Sequence, residues 1–433
     1  MKTRSCLALC AVTLATPAFA QTTETRLSAD VSSSLGYSNN PFATIGSDTG
    51  AGFVQVDIRP QLRILRERSA LTISADANVQ QYFNRYNRSD NYSGGVDYNF
   101  VPAEYVRGHL NASVQSSLIG STNDLANRFA TVQQPGTVPS TDIGPAPVDP
   151  INMLPVNTGT DIGLFGLGAR RRTINGGGDV SATLSARDVV TGSAFVINSK
   201  FSNSGSTGVI ASALGDYTGY GGTVGYSRQN TGYVQGGLQG SAAKYDYEMV
   251  GGDTTVYSVQ ATTTARINEY WTLNGALGVS FINREIGGST AALSGSLAMC
   301  RRGIRVNYCI NANRAVLPTG AIGTQVSTSV GGSYAYRITE RSNINASADY
   351  SKNSTPSGVG GIVTPVALSN EYLRATIGYD RQLRQRLRLI SSVNYRKIFG
   401  GSFIGGNVIG TSTRRPSDFG GLIGVAVRLG DIR

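Results

Sequence analysis

The chain contains a single histidine, His109, and this residue limits the enzymatic chemistry that the sequence can support. A serine or cysteine nucleophile needs a neighbouring base, and histidine is the usual one. No G-x-S-x-G motif occurs in the sequence. We therefore predict no catalytic residue and no enzyme. An enzyme that depends on His109 remains as the disfavoured alternative.

The N-terminus has the three parts of an export signal. Lys2 and Arg4 precede an apolar stretch over 6–15, and the tripeptide Ala18-Phe19-Ala20 offers a cleavage site. The apolar stretch is too short to cross a bilayer as a helix. The sequence therefore predicts a signal peptide at 1–20 and a mature domain at 21–433.

Two cysteines remain after residue 20, and both flank a basic segment. Cys300 and Cys309 enclose three arginines. An even pair of cysteines in an exported chain predicts one disulfide that closes a short loop. We expect this loop at the external surface, where it either stabilises the fold or binds acidic lipopolysaccharide. Too few other ligands lie nearby for a metal site, so we predict neither a metal nor a cofactor.

The composition narrows the class of protein further. Charged residues make up 15% of the chain, against about 25% in soluble domains. The formal net charge is +11. A basic chain can bind nucleic acid, but no recognition motif supports such a partner here, and none is predicted. Anionic lipid and lipopolysaccharide head groups are the expected partners of this charge.

The main structural signal is an alternation of apolar and polar residues. In 26–37, the odd positions are mostly apolar, from Leu27 to Tyr37, and the even positions are polar or glycine. Neighbouring side chains of a β-strand point to opposite faces, so one face is apolar. Sixteen segments follow this pattern: 26–37, 53–65, 69–83, 91–101, 104–118, 173–187, 189–201, 217–228, 232–243, 255–267, 270–283, 323–337, 341–351, 371–381, 386–396 and 418–429. Apolar-out and polar-in strands are typical of a transmembrane barrel.

The connections and the aromatic residues agree with a barrel. Short turns alternate with longer loops, as periplasmic turns and external loops do in the outer membrane. Outward aromatic residues are predicted at the long-loop ends (Tyr37, Phe83, Tyr92, Phe201, Tyr220, Tyr257, Phe281, Tyr350, Tyr395, Phe419) and at the short-turn ends (Tyr98, Phe100, Tyr226, Trp271, Tyr334, Tyr336, Tyr379). Pro60 lies within the second segment and predicts a broken strand pair there.

These patterns together predict an all-β fold. It is an antiparallel up-and-down barrel of about 16 strands in the cell outer membrane, inserted by the barrel-assembly machinery. The longest connection, loop 119–172, is rich in proline and is expected outside, where it either partly occludes the mouth or shields the rim.

Charged residues at inward positions are the candidate lining of the lumen. They are Asp30, Asp57, Arg59, Asp76, Asp97, Arg374, Arg388 and Arg396. The aspartates lie on the first four strands and the last three arginines lie near the seam with the first strand. An acidic wall beside a basic one predicts a field across the lumen, and ion pairs between strands are the alternative.

The segment that ends the first strand, Leu35-Gly-Tyr-Ser-Asn-Asn-Pro-Phe42, resembles the opening of the β-barrel porin-2 group. These outer-membrane barrels are associated with exopolysaccharide export. The group more usually carries an acidic residue where this chain has Ser38 and Asn39. The resemblance implies a role in polysaccharide secretion, with the polysaccharide and its export machinery as partners, and it carries over no site residue.

The inward face is otherwise dominated by serine, threonine, asparagine, glutamine and glycine, which bind water or sugar hydroxyls. We therefore predict a porin-like channel for hydrophilic solutes, to which the resemblance adds a part in exopolysaccharide secretion. The alternative from another class is a structural or adhesin-type barrel whose lumen is plugged by loop 119–172.

Overall fold

The computed structural model describes residues 23–42, 49–84, 86–119, 121, 169–203, 215–248, 252–285, 288–320, 323–354, 370–400, 403–405, 408–410 and 416–430. The predicted signal peptide at 1–20 and most of loop 119–172 lie outside the described residues. Within these ranges, no helix has the length and apolar character needed to cross a bilayer.

The described residues form a large antiparallel sheet of 18 strands. The strands are β1 (Glu24–Ser38), β2 (Ala51–Arg66), β3 (Ser69–Tyr82), β4 (Arg88–Ala103), β5 (Val106–Leu118), β6 (Ala169–Thr183), β7 (Asp188–Asn203), β8 (Tyr217–Gln229), β9 (Val234–Tyr247), β10 (Thr254–Arg266), β11 (Trp271–Arg284), β12 (Gly288–Arg302), β13 (Val306–Thr319), β14 (Gly323–Thr339), β15 (Ser342–Ser354), β16 (Asn370–Gln382), β17 (Leu387–Gly400) and, after a separate hairpin of β18 (Phe403–Gly405) and β19 (Val408–Gly410), β20 (Ser417–Gly430).

The sheet closes into a barrel. Strands β1 to β16 each pair with the next strand in the chain, and β17 pairs with β20. Strand β1 also pairs with β20, from Ser28 opposite Gly430 to Ser38 opposite Gly420. Closure pairs the backbone groups that would otherwise form a sheet edge, which a hydrocarbon environment does not tolerate.

The outer face of the barrel is apolar and exposed. Leu27, Val224 and Leu277 are 63%, 67% and 63% exposed, although side chains of this kind are usually buried in soluble proteins. They alternate along their strands with inward polar residues. A closed sheet with such a face spans a membrane, and up-and-down barrels of this size occur in outer membranes. The predicted fold class and location are therefore confirmed.

All sixteen predicted segments are strands, but the barrel contains two more. Strands β12 and β13 occupy the region that the sequence analysis interpreted as an external loop. Their connection at 303–305 is a short turn, on the same side of the barrel as the start of β1 at Glu24 and the end of β20 at Gly430. The strand number remains even, and the expected external position of the cysteine loop is wrong.

The outward aromatic residues follow the prediction with one exception. Tyr37, Tyr220 and Phe419 remain exposed at the long-loop ends of their strands. Phe201 instead pairs in register with the buried Arg171 and lies with its ring centroid 6.4 Å from that of the buried Tyr217. Phe201 therefore points into the barrel.

Pro60 breaks the pairing between β2 and β3, as the sequence predicts. The paired residues run to Ile58 opposite Ala77 and resume at Gln61 opposite Ser74. Proline has no amide hydrogen, so it cannot donate to the ladder. The register is the same on both sides of the gap.

Candidate functional site

The lumen differs between its two ends. At the long-loop end, several inward polar side chains are at most 2% exposed: Gln80, Ser89, Asn91, Ser117, Ser199, Thr254, Gln325 and Asn353. At the short-turn end, inward residues such as Arg63 and Arg107 are exposed. The lumen is therefore filled at its external half and open to water at its periplasmic half.

A backbone contact crosses part of the external mouth. The amide of Gly215, just before β8, donates to the carbonyl of Gly320, just after β13, at 2.7 Å. Strands β8 and β13 are not neighbours in the barrel, because β9 to β12 lie between them. Gly215 and Gly320 must therefore both lie over the lumen to meet.

Arg59 joins two of the predicted aspartates on the inner wall. Its Nη2 donates to Asp57 Oδ2 at 2.6 Å, and its Nε donates to Asp76 Oδ2 at 2.7 Å. Asn78 Nδ2 also donates to Asp57 Oδ2, at 3.1 Å. The Arg59–Asp76 bridge spans the rung where Pro60 interrupts the backbone pairing. This cluster is a wall-stabilising group whose arginine remains 49% exposed to the lumen.

Arg388 lies between two carboxylates near the seam of β1 and β20. Its Nη2 is 3.7 Å from Asp30 Oδ1, and its Nη1 is 3.7 Å from Asp380 Oδ2. All three side chains are between 31% and 42% exposed, so water screens these ion pairs. The acidic and basic residues of the seam thus neighbour one another directly.

His109 is held between two carboxylates on adjacent strands. Its Nε2 is 2.9 Å from Asp97 Oδ1, and its Nδ1 is 3.1 Å from Asp179 Oδ1. Both ring nitrogens therefore contact carboxylates of the barrel wall, so His109 links β4, β5 and β6.

Arg396 forms a buried ion pair that ties three segments together. Its Nη2 is 2.7 Å from Asp418 Oδ2, with side chains 4% and 0% exposed. Asp418 Oδ1 also accepts hydrogen bonds from Ser38 Oγ at 2.6 Å and from the Asn40 amide at 3.0 Å. Arg396 Nη2 donates in addition to the carbonyls of Asn40 and Pro41, at 3.1 and 3.0 Å. We call these residues the seam lock.

Arg374 is also buried rather than exposed to an open lumen. It is 9% exposed and lies opposite Asp349 on β15 and opposite Arg396 on β17. The predicted basic wall is therefore divided. Arg374 and Arg396 are enclosed by protein in the external half, and Arg388 alone reaches the wet half.

The cysteine pair lies on the inner wall at the short-turn end. Cys300 of β12 and Cys309 of β13 are directly opposite in register and form a disulfide, with their Cα atoms 4.1 Å apart. The outward neighbours Leu297 and Ile310 are exposed, so alternation directs both cysteines inward. The bridge joins two barrel strands and is remote from the external surface.

The structure adds partners that the sequence analysis did not name. Asp179, Asp380 and Asp418 complete the clusters of His109, Arg388 and Arg396. Each lies at an inward position by the same alternation, so extending that pattern to the acidic residues of β6, β16 and β20 would have found them. Among the described residues, no three histidine, cysteine or acidic side chains form a group that could hold a metal ion.

No model of a protein family matches the sequence, and no curated protein sequence matches it. Solved structures align over most of the chain at low identity. Pseudomonas aeruginosa OprD is 8% identical over 95% of this chain and 96% of its own, with a TM-score of 0.41. A BenF-like porin from Pseudomonas fluorescens Pf-5 is 8% identical over 94% of this chain and 99% of its own, with a TM-score of 0.43.

The ferric-catecholate import receptor Fiu from E. coli K12 also aligns. It is 10% identical over 93% of this chain and 81% of its own, with a TM-score of 0.43. Alignments at this level do not distinguish a porin from a receptor. The description of this chain as an outer-membrane β-barrel therefore rests on its own closed sheet and exposed apolar face.

Proposed function

We propose that this barrel is a channel that carries hydrophilic solutes across the outer membrane. The observation that carries the proposal is the closed wall of 18 strands with exposed polar side chains on its inner face. Barrels of 16 to 18 strands are wide enough for an aqueous passage. With usual strand spacing and tilt, the wall lies roughly 18 Å from the barrel axis.

We propose further that the solute belongs to polysaccharide secretion. This finer proposal is supported by the resemblance of 35–42 to the β-barrel porin-2 group. Within that segment, Ser38, Asn40 and Pro41 bind the buried pair of Arg396 and Asp418. Only the Ser38 contact is made by a side chain, since Asn40 and Pro41 contribute backbone atoms, and these contacts carry no information on the solute. The polysaccharide, its export machinery, lipopolysaccharide and the barrel-assembly machinery remain proposed partners.

A plugged barrel is the second candidate, and one observation favours it. Inward polar side chains at the external end are buried, and the Gly215–Gly320 contact crosses part of the mouth. A barrel filled in this way throughout its external half would act as a structural or adhesin-type component of the envelope.

Conductance measurements on the purified protein in planar lipid bilayers separate the two candidates. A channel gives stable steps of current, and a plugged barrel gives none. A variant that lacks residues 122–168 serves as the comparison. A wild type without current, together with a deletion variant that conducts, would establish the plugged barrel. A silent wild type with a silent deletion variant would overturn the channel proposal.

The polysaccharide proposal needs a cellular test. Deletion of the gene should leave a capsule or slime polysaccharide inside the periplasm, and the full-length chain should restore its release. Unchanged release in the deletion strain would overturn this part of the proposal and leave the channel itself intact.

A further inference from the structure

Arginine side chains surround the periplasmic mouth on the inside of the barrel. Six of them share three properties: each lies at an inward position, within a few residues of the periplasmic end of its strand, and is exposed. We call Arg63, Arg107, Arg266, Arg302, Arg337 and Arg428 the arginine ring. They lie on β2, β5, β10, β12, β14 and β20, so the ring extends around most of the circumference.

The inward direction of these side chains follows from their strand neighbours. Ile58, Leu110, Val259, Leu297, Tyr334 and Leu429 are exposed apolar residues of the same six strands, and each occupies the opposite parity to the arginine of its strand. Pro60 lies between Ile58 and Arg63 but does not shift the alternation of β2. The pairing of β2 with β1 continues without a gap through Pro60 to Arg63, which lies opposite Arg26. Side chains of opposite parity point to opposite faces of a strand.

No ion pair joins any of the six to a carboxylate within the ranges that the structure describes. The inward acidic residues of this end have other partners: Glu24 binds Arg26, Asp30 and Asp380 flank Arg388, and Asp97 and Asp179 bind His109. Asp30 lies opposite Arg428 in register, but its ion pair is with Arg388. These partners set five carboxylates against two arginines and a histidine, so the six further guanidinium groups still leave this end with an excess of positive charge.

The short turns do not compensate for this excess. They contain Glu67, Glu104, Glu269 and Glu340 against Arg68, Arg187, Arg305, Arg341, Arg384 and Arg386. Arginine is charged at every physiological pH, so the positive charge of the mouth is permanent. A ring of such side chains attracts anions and repels cations within about one Debye length, which is roughly 8 Å at physiological salt.

Contact with lipid head groups cannot explain the ring. Outward arginines at the same end, namely Arg228, Arg301 and Arg381, can reach phosphate groups of the inner leaflet. The ring residues point into the lumen and are separated from lipid by the barrel wall. Their charge acts on whatever enters the lumen.

We propose that the arginine ring makes the periplasmic mouth selective for anions, and that the solutes of this channel carry carboxylate, phosphate or sulfate groups. The inference rests on the proposed channel function and names the class of its substrate. A solute leaving the periplasm meets the ring first, in the wet half of the lumen, and reaches the filled external half afterwards.

The test measures ion selectivity in planar bilayers under a tenfold gradient of KCl. For the wild type we expect the chloride permeability to exceed that of potassium about threefold or more at 0.1 M salt, with the ratio approaching one in 1 M salt. Replacing Arg63, Arg266, Arg302 and Arg337 together with Gln should abolish or reverse the preference. Heat-modifiable migration in gels verifies that the variant is folded.

The matched control replaces the outward Arg228, Arg301 and Arg381 with Gln. Arg301 and Arg302 are adjacent in sequence and point to opposite faces, so the two variants remove charge from opposite sides of the wall, four arginines from the inner side and three from the outer side. The control should retain the selectivity of the wild type. A cation-selective wild type, or equal loss in both variants, would overturn the ring while leaving the channel in place. Absence of any current would instead count against the proposed channel.

A pair of oligosaccharides provides a second readout. Hexagalacturonate, which carries one carboxylate on each sugar, should interrupt the channel current at lower concentration than the uncharged maltohexaose. The Gln variant of the ring should lose most of this difference. Equal concentrations for both sugars in the wild type would contradict the assignment of an anionic substrate.

Discussion

Replacing Arg396 with Met should destabilise the barrel more than most single substitutions in its wall. Methionine retains much of the apolar volume of the arginine and removes its charge. Asp418 then keeps only two neutral donors, Ser38 Oγ and the Asn40 amide, at a site where its side chain is 0% exposed. The carbonyls of Asn40 and Pro41 lose their donor as well.

The expected cost follows from the burial of the charge left behind. Removing one partner of a buried ion pair typically costs about 3–5 kcal/mol, because the remaining charge is neither paired nor hydrated. The double variant Arg396→Met with Asp418→Asn has no such charge. The side-chain amide oxygen at position 418 still accepts a hydrogen bond from Ser38 Oγ. We expect the double variant to recover at least about 2 kcal/mol of the loss.

Urea unfolding of the protein in lipid vesicles provides the free energies. The chain has a single tryptophan, Trp271, whose fluorescence reports the transition. Lys352→Met is the matched control, because Lys352 and Glu371 also form an ion pair between adjacent strands, 2.8 Å apart, with side chains 50% and 30% exposed. Water already solvates this pair, so its loss should leave the transition nearly unchanged.

Equal midpoints for Arg396→Met and Lys352→Met would refute the argument. Such a result would mean that water reaches Asp418 in the folded barrel and that the external half of the lumen is open there. A double variant less stable than Arg396→Met would also contradict it, since the cost could not then arise from an unpaired carboxylate.

Three further substitutions test other parts of the wall. Replacing Cys300 and Cys309 with Ala should lower the free energy of unfolding by at most about 3 kcal/mol, because the disulfide closes only a short loop. The conductance should not change, and a changed conductance would contradict this prediction. His109→Ala should preserve both the conductance and the envelope phenotype, and a lost phenotype with normal conductance would revive the enzyme alternative. Arg59→Gln should lower the free energy of unfolding in urea by about 1–3 kcal/mol, because Asp57 is then left buried with the Asn78 amide as its donor. If adding Asp57→Asn to this variant restores none of the lost stability, the unpaired carboxylate is not the cause.

The sequence predicted most of the wall because most strands alternate clearly. Strands β12 and β13 escaped prediction for two physical reasons. In β12 the two faces differ little, since alanine, serine and glycine occur on both. In β13 the outward face contains Arg314, which donates to the Leu293 carbonyl and to Thr328 Oγ1 and breaks the apolar pattern.

The contacts of the candidate lumen residues were less predictable. Alternation assigns a side chain to the inner face but does not indicate whether that face is open or filled at a given height. Arg388 and Arg396 have the same parity on β17, yet one is 42% exposed and the other lies within the seam lock. The difference depends on Asn40 and Pro41, which follow β1 and lie 356 and 355 residues from Arg396 in sequence.

The external half of the lumen is filled and the periplasmic half is open to water. The rate of passage and the choice of ion are therefore set in different parts of the barrel, whereas a uniform tube would set both along its whole length. Electrical resistance concentrates where the cross-section is smallest, and buried side chains such as Ser89 and Ser117 put that point in the outer half. The choice of which ion enters is made earlier, among hydrated side chains at the inner opening. Changes in the outer half should therefore alter how fast solutes pass, and changes at the inner opening should alter which solutes do.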